Sequence, residues 1–304
     1  MTAGAAALVA KALRDFRVCA YPLDDAASVD ATGPYPLDVR VITEGFRLDG
    51  DGIVVIAGPD GRDYHNPVSI GLYGLGHHTQ ACRSTADSGS LASFLTQARR
   101  LRRSQDTEGG WLYPVPATRY RVSPGWYSAM AQGLAASVLL RAYDRTGEQS
   151  YVDAAEGAVT LLLRPLRDGG CAHYDNLGRP FLEECPSDPP CHILNGAVFA
   201  MVGLREWEAR TDGRTHVAAV QRLAAELSRF DIGYWSRYDL RFAAPATTAY
   251  HSLHISLLEV AARIFADQAF RSTAGRWYSY LRRPTYRLRA ATGKALFVVG
   301  QRRG

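Results

Sequence analysis

Tyr127-Ser128-Ala129-Met130-Ala131-Gln132-Gly133-Leu134-Ala135-Ala136 reads as the opening of a helix with almost no side-chain bulk. Helices approach each other to the depth that their side chains permit, so a stretch this small-sided suits an inner, closely packed position. The same kind of opening recurs in Pro67-Val68-Ser69-Ile70-Gly71, in His192-Ile193-Leu194-Asn195-Gly196 and in Tyr250-His251-Ser252-Leu253-His254. With Ser69, Tyr127, His192 and Tyr250 as markers, the steps are 58, 65 and 58 residues. A repeat of about 60 residues, each with two helices and a strand-like loop, argues for stacked helical hairpins. The closed version of that stack is an (α/α) barrel, or toroid, and about four hairpins are expected.

Helical periodicity predicts segments at 67–82, 88–104, 125–147, 149–165, 190–210, 212–229, 246–266 and 268–282. Glycine- and aromatic-rich stretches between them, at 109–113, 169–174 and 232–238, read as short strands. Small residues mark the inner helices: Ala129, Ala131, Gly133, Ala135 and Ala136 in one, and Gly196, Ala197, Ala200 and Gly203 in another. Charge marks the outer faces, at Arg99, Arg100, Arg102 and Arg103 and at Arg205, Glu206, Glu208 and Arg210, read as solvated.

Ahead of the repeat, residues 34–66 have strand chemistry. Asp38 to Thr43 alternates in part, Gly50-Asp51-Gly52 is a turn, Ile53 to Ala57 is a buried-strand run and Pro59-Asp60-Gly61 closes it. Before that, Leu8, Ala12, Leu13 and Phe16 fall at the spacing of a short amphipathic helix. At the other end, nine basic residues and no acidic ones follow from Arg271 onward, with a final strand expected at Ala295 to Val299. The expected division is residues 1–63 for the N-terminal helix and small β element, 64–283 for the barrel and 284–304 for a basic C-terminal segment.

Composition narrows the function classes. The 304 residues are 47% hydrophobic and 21% charged, which is globular and excludes a disordered or fibrous chain. No apolar run approaches the ~20 residues of a transmembrane helix. The formal charge is +5, and Lys11 and Lys294 are the only lysines. An arginine-rich surface suits carboxylate, phosphate or sulfate, because the guanidinium fork binds them bidentately. Walker, zinc-finger and RNP-type patterns are missing, so nucleic acid is not expected. Cys19, Cys82, Cys171, Cys185 and Cys191 form neither a disulfide framework nor a metal-ligand spacing, and no metal site is read. His77-His78 reads as a structural pair at a helix end. The first residues lack the basic region of a secretory signal, so a cytoplasmic location is expected.

Chemistry-bearing residues gather where loops meet inner helices. Phe181-Leu182-Glu183-Glu184-Cys185-Pro186 leads through Cys191-His192-Ile193-Leu194-Asn195-Gly196; Tyr238-Asp239-Leu240-Arg241 and Tyr250-His251-Ser252-Leu253-His254-Ile255 follow. Adjacent carboxylates in an extended stretch face opposite ways, so one of Glu183 and Glu184 can enter a cleft. Upstream stand Asn66-Pro67, Tyr73-Gly74-Leu75 and Tyr127 to Gly133. In that order, from about residue 64 to 282, these motifs resemble the C-terminal domain of the D-glucuronyl C5-epimerases of heparan sulfate and heparosan. The resemblance implies an (α/α) barrel and the epimerisation of glucuronate to iduronate. It implies a catalytic set on Glu184, Tyr238, Arg241 and Tyr250. The family has a tyrosine where this chain has Cys185. The substrate-binding residues expected beside them are Arg241, Tyr127, Gln132, His192, Asn195, His251 and His254.

The chemistry asks for such residues. A hydrogen on C5 lies α to a carboxylate, and its removal builds an enediolate-like dianion that a guanidinium can stabilise. Inversion needs two acid/base groups on opposite faces of the ring. A phenol, ordinarily near pKa 10, needs a nearby cation to act as base near neutrality. Cys185 is either a thiol in place of the family's phenol or a small packing residue of a site with a changed reaction. Each histidine has a structural reading beside the functional one, and Trp111, Trp126 and Trp235 read equally as sugar platforms or core.

Three functions follow: a cofactor-independent uronate C5-epimerase, a small-molecule tailoring enzyme on the same scaffold, and a catalytically silent glycan-binding module. The partner expected for an enzyme is a carboxylate-bearing sugar or small molecule. A homodimer is left open, and a membrane is not expected.

Overall fold

Asn66 ends its loop by turning its side chain onto the N–H of Ser69, at 3.2 Å, and Pro67 supplies a first helical turn that needs no donor. Helix starts of this kind recur in the computed structural model, which describes residues 16–84, 87–242 and 244–301. Asp87 accepts from the N–H of Ser90, Ser128 from that of Ala131, Thr247 from that of Tyr250 and Asp267 from that of Ala269. Each such cap stabilises its helix by about 1 kcal/mol.

The helices that result are α1 (Arg40–Thr43), α2 (Pro67–Arg83), α3 (Ser88–Ser104), α4 (Ala129–Thr146), α5 (Ser150–Leu163), α6 (Leu194–Thr211), α7 (Thr215–Phe230), α8 (Thr248–Ile264), α9 (Gln268–Leu281) and α10 (Pro284–Gln301). Strands β1 (Arg47–Leu48), β2 (Val54–Ala57) and β3 (Asp63–Tyr64) form a small antiparallel sheet, with Arg47 opposite Val55 and Ile56 opposite Tyr64. Strands β4 (Ala172–Tyr174) and β5 (Pro180–Leu182) form a hairpin with His173 opposite Phe181. The chain is mainly α and of the (α/α) toroid class.

Two compact units divide the chain. The larger holds residues 22–223. Here α2, α4 and α6 lie side by side, α3 covers α2, and α5 covers α4. The small-residue helices do what their composition predicts. A Cβ on Gly203 would stand 2.1 Å from the carbonyl oxygen of Gly133, and one on Gly133 would stand 2.5 Å from the Cα of Ala200. Backbone meets backbone there, and no side chain fits. The smaller unit contains the residues from 224 onward together with the described residues before 22. It pairs α8 with α9, and α10 packs against both.

Several expectations need correction. Residues 38–43 are not a strand. Asp38 accepts from the backbone N–H of Arg40 at 3.2 Å and from its guanidinium at 2.9 and 2.6 Å, a local bond that turns the chain into α1. These bonds, with help from Arg83, hold the Asp38 carboxyl down at about 2. Helix α4 begins at Ala129 rather than at 125. Gly125 is left-handed, and Tyr113 bridges to Trp126, so the preceding residues are extended. Residues 109–113 and 232–238 make isolated bridges and no strand among the described residues. The strand expected at 295–299 is part of α10. Glu206 and Glu208 are not on a solvated face. Glu206 makes a fully buried bidentate pair with Arg141, at 2.8 and 3.0 Å, and Glu208 accepts from the N–H groups of Thr215 and His216 that open α7. The amphipathic helix expected around Leu8 to Phe16 lies, Phe16 aside, outside the described residues. No helix among the described residues is long and apolar enough to cross a membrane.

Candidate active site

The β5 strand runs straight into Glu183 and Glu184, whose side chains take different partners. Glu183 is fully buried. Its Oε2 accepts from the backbone N–H of His192 at 2.9 Å and from the thiol of Cys191 at 3.4 Å, which pulls the Cys185–Ile193 loop back onto the strand. Its Oε1 lies 3.2 Å from His192 Nε2. His192 itself has φ +50, and its ring stacks on Phe181 with centroids 4.1 Å apart and planes 8° from parallel. A non-glycine residue in the left-handed region costs free energy, and the Glu183 anchor offsets it.

Glu184 turns instead toward the head of α6. Asn195 Nδ2 donates to its Oε2 at 3.2 Å. Gly196 makes room for it, since a Cβ there would fall 2.4 Å from that same oxygen. Tyr113 adds a phenol close enough to feel the Glu184 charge. Burial pushes that phenol far above its ordinary value, and Glu184 pushes it further. Two predicted substrate contacts in this unit have buried polar atoms with no hydrogen-bond partner among the described residues: both side-chain polar atoms of Gln132, and Asn195 Oδ1. Buried polar atoms rarely stay unpaired, which sets these three atoms apart from most other buried polar groups of this unit.

Cys185 is 2% exposed and lies against Cys191. The Cys191 thiol donates to the Cys185 carbonyl at 3.3 Å. Its acidity is suppressed, first by the hydrogen bond with the Cys185 thiol and then by burial. Tyr127 faces a partner of its own: its hydroxyl donates to Asp106 at 2.7 Å, and burial with that bond raises its pKa.

The smaller unit carries the second group. Tyr238 and Tyr250 meet edge to face with ring centroids 4.7 Å apart and planes at 70°. Tyr250 sits in the first turn of α8 and is 37% exposed. Behind them His254 lies 6.4 Å from each ring. Ser236 holds both histidines of the helix, its hydroxyl 2.8 Å from His251 Nδ1 and 3.0 Å from His254 Nδ1. The Ser236 N–H also donates to His251 Nδ1 at 3.2 Å, so His251 carries its hydrogen on Nε2 and gives it to the Trp277 carbonyl at 3.1 Å. Burial pushes both imidazoles down to about 3 and keeps them neutral. His254 Nε2 is a further buried atom with no hydrogen-bond partner among the described residues. Asp239 accepts from the N–H of Phe242 at 2.7 Å, and the Arg241 guanidinium lies 5.8 Å from the Phe242 ring centroid.

The structure thus places Glu184, Cys185, Gln132, His192 and Asn195 in the larger unit, and Tyr238, Arg241, Tyr250, His251 and His254 in the smaller. Sequence reasoning gave Tyr113 no role in the site and read Gly196 as a small packing residue of an inner helix. It also passed over Tyr21, whose phenol is raised by burial first, then by Cys19 and by the nearby Tyr250. Trp111 and Trp235 are core, their indole N–H groups bonded to the carbonyls of Leu101 and Ala246. Trp126 stacks on Tyr113 at 4.1 Å.

Residues 105–279 match the model of the D-glucuronyl C5-epimerase C-terminus. The chain belongs to that family. The match contains every residue of both groups described above except Tyr21. The chain is also 30% identical over 267 residues to a D-glucuronyl C5-epimerase of Caenorhabditis elegans, covering 79% of this chain and 42% of that protein. It is 26% identical over 136 residues to an uncharacterized protein of Methanocaldococcus jannaschii, covering 42% of this chain and 44% of that one. The chain therefore spans less than half the length of these curated relatives.

Proposed function

We propose that this chain catalyses C5 epimerisation of a uronate, with a glucuronate residue or glucuronide as first substrate and without an organic cofactor. The observation that carries this reading is the pair of adjoining phenols, Tyr238 and Tyr250, one of them exposed at the head of a helix. Two phenols with a nearby arginine in the sequence form a proton-transfer set. The base takes the C5 proton, the electron pair moves into the carboxylate as an enediolate, and an acid returns a proton to the opposite face. Arg241 is assigned to the substrate carboxylate, whose developing charge its fork matches. Glu184, fixed by Asn195, is assigned a further acid/base role. Gln132, Asn195 and His254 are assigned to sugar hydroxyls, in keeping with their unpaired buried atoms.

A second reading is favoured by Cys185. The family's phenol at this position is replaced by a thiol that is buried against Cys191, which fits a small-molecule tailoring enzyme with a changed reaction. Incubation in deuterated water with heparosan-type and small uronate acceptors separates the two. Deuterium at C5 of a uronate is expected. Exchange on no uronate, with turnover of a non-sugar carboxylate, moves the chain to the second reading.

A further inference from the structure

We propose that His173, Glu183 and His192 bind a divalent first-row transition metal ion, a proposal that does not rest on the epimerase reading. One ligand atom from each residue lies within 4.8 Å of the others. His192 Nε2 is the hub, 3.1 Å from His173 Nδ1 and 3.2 Å from Glu183 Oε1. Two ligand atoms on one tetrahedral zinc stand about 3.3 Å apart, given zinc–nitrogen and zinc–oxygen bonds of about 2.0–2.2 Å. The two separations from His192 Nε2 match.

The surroundings prepare the three groups. Phe181 stacks on His192 and sets its ring plane. Glu183 gives Oε2 to the loop backbone and to Cys191, which leaves Oε1 turned toward the imidazole. Outer partners of this kind orient metal ligands and tune them. Antiparallel pairing of β4 with β5 holds His173 one residue pair away from the strand end that leads into Glu183. Glu183 and His192 are buried while His173 is half-buried, so the open side of the site lies at His173. Two neutral imidazoles and one carboxylate carry a single negative charge, which suits a dication with further positions for water or an anionic ligand. A bound ion would cross-link the hairpin to both ends of the Glu183–His192 loop, the loop that carries Glu184 and Cys185. The sequence conceals the site because its ligands are 10 and 9 residues apart on a strand and an irregular loop.

The test uses the full chain stripped with a chelator and titrated with cobalt(II) alone. Saturable binding of one cobalt per chain, with visible d–d absorption that zinc abolishes, is expected, and zinc should raise the melting temperature. His173→Ala, a change on a half-exposed strand residue, should weaken cobalt binding by more than the about 10–100-fold that loss of an outer partner costs. Circular dichroism confirms that the variant is folded, and if it is not, His173→Gln takes its place. His216→Ala removes another histidine paired with a carboxylate, Glu208, and should bind cobalt as the wild type does. Absence of saturable binding by the wild type, or unchanged binding by His173→Ala, would overturn the proposal. None of these readouts depends on turnover.

Discussion

The two histidine-bearing junctions, one after β5 and one at the head of α8, share a plan and differ in the group that organises them. In each, an irregular segment delivers polar side chains to the start of a helix with a small or polar first turn. After β5 the organising group is a carboxylate: Glu183 holds the loop, and His192 faces it at 3.2 Å. At α8 the organising group is a hydroxyl: Ser236 holds two imidazoles that burial keeps neutral. The difference teaches that the same kind of junction can be organised around a carboxylate or around a hydroxyl. An acidic junction suits cations. At α8 the two imidazoles add no charge of their own beside the phenols.

The strongest challenge to this contrast is at the phenols. Tyr250→Phe is expected to lower the rate of C5 deuterium exchange by about 10²–10⁴-fold, the range of a lost general acid or base, with the circular dichroism spectrum unchanged. Arg241→Lys, which keeps charge and loses the fork, should also cost a large part of the activity, and wild-type kinetics in either variant would remove the smaller unit from the chemistry. Next in size is Glu183→Gln. It replaces the charged acceptor beneath the left-handed His192 and is expected to cost about 1.5–3 kcal/mol in urea unfolding, the worth of a hydrogen bond to a charged group. Ser236→Ala should cost less, about 1 kcal/mol, because the Ser236 N–H continues to serve His251 after the hydroxyl is gone. A larger loss for Ser236→Ala than for Glu183→Gln would invert the comparison.

The remaining effect is with pH. His251 and His254 lie at about 3 in the fold against 6.5 when exposed, so the unfolded chain binds more protons between those values. Their contribution is therefore complete above about 6.5 and declines as the pH falls toward about 3. The urea midpoint, followed from about pH 7 to about pH 5, should decrease, and the decrease should shrink in His254→Gln. A midpoint that rises on acidification would contradict the neutral state of these rings.

Much of this protein was legible as sequence because it rests on local rules. Caps, small-residue faces and helical periodicity are properties of neighbours a few residues apart, so 88–104 and 268–282 were bounded to within a residue, and the recurrence of helix openings announced the hairpins. The order of the junction motifs carried the family. What sequence could not determine depends on groups distant along the chain. Whether Glu206 meets water or Arg141 is decided 65 residues away. Whether residues 38–43 extend or coil depends on where Arg40 and Arg83 bring their charges. That Glu183 serves the loop while Glu184 serves α6, and that His173, Glu183 and His192 converge, follows from strand pairing and one left-handed residue. The physical reason is common to all of these. Periodicity reports which face of an element is apolar, but the energy of a buried charge is set by the partner it meets, and only the tertiary fold chooses that partner.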